Sequence, residues 1–396
     1  MKKKNILICY SGAAGYHEEQ TLVGIRRFAL TQPDWRLGIL LAQQMNETMM
    51  KDVMAWKPSG VLVVTPFSRL PKLTAWRDLP MVVVDHRHQH PEGVSRIEVD
   101  AVQAGNRAAS YFLQNGFRTF AVVLWPRNPP FSRLLEQGYM EILQREGITP
   151  ARFQLTDGMW QPWHRNPELD EWLRDLPKPT ALFCVSDSAA LRIFEHCERL
   201  EIGIPYELSV LTVGNVPAFC ETTRPTISSI PTHSDTMGFR AATILDRILQ
   251  NPSPESAHEP VCEMIEAGEV IERQSSNLRA IEDPGIAKAA DYLLSHVAQG
   301  VSLEDAARET GLNRRRLERG FKRHLGVTPG AYLRRLKIDH AKHLIRETDL
   351  RMNEVAYACG MAPEPFSTLF RKETGRSPGV YRKEKSRGTG GKTVHE

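Results

Sequence analysis

The chain has 396 residues, 41% of them hydrophobic, and carries 51 Lys and Arg against 47 Asp and Glu for a formal net charge of +4. At roughly 100–200 residues per domain this length implies two or three domains, each able to bury a core. No apolar run approaches the roughly 18 residues of a membrane helix, and the basic start at Met1 leads only into Ile6-Leu-Ile-Cys-Tyr10, too short for a signal-peptide core, so a cytoplasmic protein is expected. The six cysteines (Cys9, Cys184, Cys197, Cys220, Cys262, Cys359) include no C-x-x-C pair, which argues against a disulfide framework and against zinc. Charge is spread unevenly. Residues 285–387 hold 21 Lys and Arg against 12 Asp and Glu, net +9, while residues 1–284 hold 29 against 34, net −5. A basic end on an acidic body is what counterion release asks of a nucleic-acid reader whose other domain must stay off the duplex.

From the N-terminus, an apolar run over 5–10 precedes a Gly/Ala-rich turn and a helix over 21–30 with Leu22, Ile25 and Ala29 inward. Strands are predicted over 37–41, 61–65, 81–85, 120–124, 181–185 and 209–213, with helices near 48–56, 70–76, 101–114, 133–146, 166–174 and 189–200. Near-continuous apolar strands alternating with helices indicate an α/β fold of parallel sheets covered on both faces. Such sheets bind ligands at the carboxyl ends of their strands, which draws attention to Tyr10, Ser11, Asp85, His86, Trp125, Asp187 and Asn215. For Ser11 or Ser186 a helix cap or turn is the simpler role. Asp85 and Asp187 end otherwise apolar strands, where a carboxylate can accept hydrogen bonds from hydroxyls. Trp125, Phe131, Trp160 and Trp163 suit stacking on a sugar face as well as they suit ordinary burial.

His86, His88 and His90 alternate, so an extended strand would place them on one side. Zinc would need a converging fourth ligand, and a lone alternating set in a loop is more often solvated; no metal or other cofactor is predicted. G-x-S-x-G, H-E-x-x-H, the P-loop and a strand-following G-x-G-x-x-G are all missing from the sequence, and two positioned acids for glycoside hydrolysis are not distinguishable from ligand holders, so no enzyme is expected.

Residues 4–276 resemble the LacI/GalR-type effector domain, itself similar to periplasmic sugar-binding proteins. The resemblance rests on Val99-Asp100, Gly105, Ala108-Ala109, Gly116-Phe-Arg-Thr-Phe-Ala-Val122, Ile204-Pro-Tyr-Glu-Leu-Ser-Val-Leu211, Ser229-Ile-Pro231, Met237-Gly238, Ala241-Ala242 and Val270-Ile-Glu-Arg-Gln-Ser-Ser276. It implies two lobes with a small-molecule cleft, and a ligand set of Tyr10, Asp85, Arg133, Asp187 and Asn215. Two positions depart from the family pattern: a usual ligand-binding Asp is replaced by Gly214, and the Arg usual three residues before Gly138-Tyr139 is Leu135, with Arg133 nearby.

Residues 277–284 lack a period and reach Pro284, as a short hinge does. Beyond them Ser302 caps a short helix with Ala306 and Ala307 inward, and Gly311 suits a tight turn. The next helix starts at Asn313; Leu317, Gly320 and Phe321 share one face, and Arg315, Arg319 and Lys322 fall opposite, flanked by Arg316 and Arg323. An arginine-rich helix face alone is usually a solvated surface. Here, however, Gly311, Leu317, Phe321, Gly326, Pro329 and Tyr332 recur 49 residues later as Gly360, Phe366, Phe370, Gly375, Pro378 and Tyr381. One helix-turn-helix unit is used twice. Tyr332, Leu333, Leu336, Ala341, Leu344 and Ile345 form the stripe of a connecting helix.

Residues 285–386 therefore resemble the AraC-type DNA-binding domain, through the duplication and the two G-x-[ST]-P-x-x-Y endings. The resemblance implies an all-α domain whose two recognition helices enter successive major grooves, with DNA contacts from Arg314, Arg315, Arg316, Arg319 and Lys322 in the first and Glu364, Thr368 and Arg371 in the second. Gly360 to Phe366 is one residue shorter than the usual second unit and contains Pro363 and Pro365. The domain order as a whole resembles XylR-type xylose-operon activators, which implies a transcription activator that binds an operator, responds to xylose or a related pentose, dimerises through its effector domain and has RNA polymerase as a further candidate partner. The alternative is the same reader answering another sugar, or using the N-terminal domain for dimerisation alone. The Gly-rich residues 388–396 are expected to be disordered.

Overall fold

The computed structural model describes residues 3–10, 16–41, 46–64, 79–84, 93–157, 165–250, 260–276, 281 and 283–382. The helix predicted over 70–76, Asp85, His86, His88, His90, Trp160, Trp163, most of the 277–284 hinge and the 388–396 tail lie outside them.

The first lobe is built from β1 (Lys4–Tyr10), α1 (Tyr16–Ala29), β2 (Trp35–Leu41), α2 (Glu47–Ala55), β3 (Gly60–Val63), β4 (Met81–Val84) and β5 (Ser95–Val99). The chain then crosses to a second lobe of α3 (Ala101–Gln114), β6 (Phe120–Leu124), α4 (Pro130–Arg145), β7 (Ala151–Gln154), α5 (Pro167–Asp175), β8 (Thr180–Cys184), α6 (Asp187–Leu200), β9 (Leu208–Gly214), α7 (Pro217–Cys220) and β10 (Ser228–Pro231). It returns to the first lobe through α8 (Ser234–Gln250) and β11 (Cys262–Ile265).

One sheet runs β2-β1-β3-β4-β5-β11 and the other β7-β6-β8-β9-β10, all pairs parallel. Both lobes repeat one winding. In each, the opening strand (β1, β6) lies between the second and third, so connections leave it in opposite directions and open a crevice at the strand's carboxyl end. Strands β3, β6, β8 and β9 are buried along their whole length, which is why β3 and β6 read as unbroken apolar runs and β8 and β9 as apolar runs broken only by Thr180, Ser209 and Thr212 before the closing Gly214.

A shared device seats the covering helices. In α1 and α8, a Cβ on Gly24 would lie 1.8 Å from the Asp235 carbonyl oxygen, and one on Gly238 would lie 2.0 Å from that of Thr21. In α3 and α4, a Cβ on Gly105 would lie 2.1 Å from the Leu135 oxygen, and one on Gly138 would lie 2.0 Å from that of Val102. Backbone touches backbone at both crossings, as only glycine permits.

The C-terminal domain is helical: α9 (Pro284–Ser295), α10 (Leu303–Thr310), α11 (Arg314–Leu325), α12 (Pro329–Glu347), α13 (Met352–Ala358) and α14 (Pro363–Thr374). The duplication is exact in register. Helices α11 and α14 are both 12 residues long, and the capping glycines match in conformation, with φ of +65° and +62° at Gly311 and Gly360 and +72° and +74° at Gly326 and Gly375. Phe321 meets Tyr332 and Phe370 meets Tyr381 edge-on, each pair at 5.5 Å. Pro363 and Pro365 sit in the first turn of α14, where an amide has no intrahelical partner to lose, so the second recognition helix keeps its full length.

Candidate nucleic-acid interface and effector cleft

Helix α11 starts where Asn313 Oδ1 accepts from the Arg316 amide at 2.9 Å. Leu317 and Phe321 then bury against α9 and α12, and Gly320 makes room for Ile286, whose Cδ1 lies 2.2 Å from where a Cβ would stand. Everything opposite that seam is exposed: Arg314, Arg315, Arg316, Arg319 and Lys322. The five cations are not equivalent. Arg314 Nε is 3.1 Å from Glu318, and Arg316 Nη2 is 3.7 Å from Asp283 ahead of α9. Among the described residues Arg315, Arg319 and Lys322 have no ion-pair partner, so one stripe of free cations runs along the helix and suits phosphate and guanine edges. On α14, Phe366 and Phe370 are buried while Glu364, Thr368 and Arg371 are exposed. That surface is nearly neutral, and its carboxylate and hydroxyl suit base edges better than phosphates.

In the two-lobed body, Tyr10 and Trp125 stand at the carboxyl ends of β1 and β6, the crevice positions of the two windings. Burial, with Glu18 and Glu19 close by, raises the pKa of the Tyr10 hydroxyl above its ordinary value. Asp187 begins α6 and is 2% exposed. Its carboxylate already accepts hydrogen bonds from the Thr212 and Ser229 hydroxyls and, at 2.8 Å, from the Val216 amide. It therefore joins the ends of β8, β9 and β10 as a structural acceptor. Asn215, in the left-handed region at φ +57°, turns the chain out of β9 beside it. Arg133 is exposed in the first turn of α4 and donates to the Asn128 carbonyl at 2.8 Å. Leu135 is fully buried, held under the α3 crossing.

Sequence reasoning missed His17. From α1 of the first lobe its Nδ1 lies 3.2 Å from Ser234 Oγ and 3.1 Å from Thr232 Oγ1, where the chain crosses between lobes. Its Nε2 lies 3.1 Å from where a Cβ on Gly214 would stand, and Asp187 Oδ2 lies 2.7 Å from the same point. Burial lowers the His17 pKa, with the Asp187 charge opposing. The missing side chain at 214 is thus the space in which a residue of each lobe meets. The one signal for His17 was its place in the sequence, just after the Gly/Ala-rich stretch that follows β1.

Family models match residues 109–276 as a periplasmic binding protein-like domain and residues 306–384 as a helix-turn-helix domain. The chain thus joins a periplasmic binding protein-like domain to a helix-turn-helix domain. Over 96% of its length and 97% of the relative, it is 25% identical to the xylose operon regulatory protein of Escherichia coli (strain K12). A solved structure titled xylose-binding transcription activator xylR superposes with a TM-score of 0.78 at 24% identity, covering 97% of this chain and 99% of that one. The reader alone is 40% identical over 112 residues, 28% of this chain and 40% of the relative, to the HTH-type transcriptional activator RhaS of Enterobacter sp. (strain 638).

The effector domain and the reader share an apolar seam. Tyr206, from the Ile204-Pro-Tyr motif of one, is 2% exposed within the cluster formed by α9 to α12, and its hydroxyl meets that of Tyr332, the closing tyrosine of the first repeat. Beside them the Asp291 carboxyl of α9 shares the space over Gly203 with Glu207; buried next to that like charge, its pKa is raised to about 7.

Proposed function

We propose that the chain is a sugar-responsive, sequence-specific DNA-binding transcription activator whose effector is xylose. The observation that carries this reading is the union, in one chain, of a two-lobed body with its crevices at β1 and β6 and a duplicated helix pair displaying Arg315, Arg319 and Lys322. The relatives with the same order are named as xylose regulators. Sugar bound between the lobes favours their closed arrangement, and the difference in affinity between the arrangements is what repositions the reader. Tyr10 and Asn215 meet the sugar from the described strand ends, with Asp85 and Arg133, and Asp187 completes the proposed set by holding the strand ends that carry Asn215. The active species is a cytoplasmic homodimer, joined through the effector domain, that engages RNA polymerase. Among the described residues no helix is long and apolar enough to cross a membrane.

Calorimetric titration with xylose, arabinose, ribose and glucose tests the effector: a xylose heat with the others silent supports the reading, and a panel silent throughout leaves the body as a dimerisation module. Footprinting with and without xylose tests the response. Arg315→Ala and Arg319→Ala should each cost roughly 1–3 kcal/mol of operator binding, and Lys322→Ala should lower the salt slope by about one. Wild-type footprints from both arginine variants would show that α11 does not read DNA. Turnover of a pentose by the purified chain would place it among enzymes instead.

A further inference from the structure

We propose that Arg273 is a positioning residue for effector recognition and the strut that carries the state of the cleft to the DNA-binding domain. This rests on the sugar-responsive reading above. From Asp187 a chain of hydrogen bonds runs outward: Ser229 Oγ donates to Asp187 at 2.7 Å, and the Asn215 amide donates to Ser229 Oγ at 2.9 Å. Arg273 Nη2 then donates to Asn215 Oδ1 at 2.9 Å and to Glu221 Oε1 at 3.1 Å, while Nη1 donates to the Ile227 carbonyl at 3.0 Å.

The guanidinium fixes which way the Asn215 amide faces. With Oδ1 committed to Arg273, the amide can present only its Nδ2 donor to a ligand, and among the described residues Nδ2 has no hydrogen-bond partner. A planar fork that serves three acceptors at once cannot be moved at one without disturbing the others.

The same side chain also lines a second place. Arg273, Glu221 and Gln274 form one wall of a groove of about 1070 Å³ between effector domain and reader, and Asp291, Asp339 and His340 of α9 and α12 form the other. Arg273 is 14% exposed there, and its neighbour Gln274 also lines the small recess against Tyr332. Three residues further on, the chain leaves for the hinge. A ligand drawing on Asn215 thus acts through one side chain on the wall against which the reader rests.

The test uses the full chain, a duplex selected from a random pool by the wild type, and D-xylose as the probe. Its readout is the ratio of duplex affinities with saturating D-xylose and without it. Couplings of this kind amount to roughly 5–150-fold. Arg273→Lys keeps the charge but loses the fork, and Glu221→Gln weakens the half-buried outer anchor by removing its charge, without touching the amide. Both should bind the duplex as wild type does without sugar. At saturating D-xylose the ratio should fall to within about twofold of one in Arg273→Lys and be clearly reduced in Glu221→Gln, with weaker xylose affinity only in the former. A role confined to ligand affinity would be rescued by saturation. A wild-type ratio in both variants overturns the strut. A wild type that itself ignores D-xylose and the rest of the sugar panel overturns the functional reading, and the strut with it.

Discussion

Glycine at 214 is the position where chain chemistry and lobe geometry constrain each other most tightly. Its φ of +133° lies in a region that side chains rarely adopt, and a Cβ would stand 2.7 Å from the Asp187 carboxylate. Installing a carboxylate here, Gly214→Asp, therefore adds backbone strain and sets like charges together. We expect a loss of roughly 1–3 kcal/mol or more in denaturant unfolding, with a smaller loss for Gly214→Asn. Asp187 shows what a linear reading can and cannot deliver. Its place after an apolar strand was legible, but its three donors come from Thr212, Ser229 and Val216, brought together only by the order β8-β9-β10. His17 and Arg273 were illegible for the same reason: the hydrogen bonds of each side chain reach residues at least 46 positions away, and no local pattern records such a meeting.

Among the elements, those with a strong period were legible. Helix α3 and strand β6 occupy the predicted bounds, because a wide apolar stripe and a wholly buried run leave little choice. Strands β7 and β10 escaped notice: Ala-Arg-Phe-Gln is a short, half-buried edge, and Ser-Ser-Ile-Pro is polar by composition yet buried, its hydroxyls satisfied inside the sheet junction. The paired glycines give a test at this scale. Gly105→Ala and Gly138→Ala should each push α3 from α4 and cost about 1–3 kcal/mol, with an apparent Tm several degrees lower. Gly147→Ala meets open space and carries only the penalty of φ +68°, so it should be the mildest of the three. Equal losses would mean that the crossings are looser than the backbone contacts imply.

For the whole molecule, the seam between effector domain and reader should depend on pH. Asp291 titrates near 7 when docked, above an ordinary carboxylate, so the docked state holds a proton that an undocked or unfolded chain releases above about pH 4. Docking is then strongest below that lower value and weakens as pH rises toward 7, after which the penalty is constant. Melting of the docked chain should rise as the pH is lowered from 7 to 5, and Asp291→Asn should flatten that slope; an unchanged slope would assign it to other groups. Helix α12 has a consequence of another kind. It is unbroken over 19 residues, about 28 Å of stiff rod, and joins the two repeats. One molecule can therefore span a single spacing of contacts on the double helix. An extra base pair between its two subsites swings one of them about 34° around the duplex axis, and a full added turn restores the face but overshoots the rod by some 34 Å. Operators for this protein should tolerate no insertion or deletion within the stretch that one chain grips.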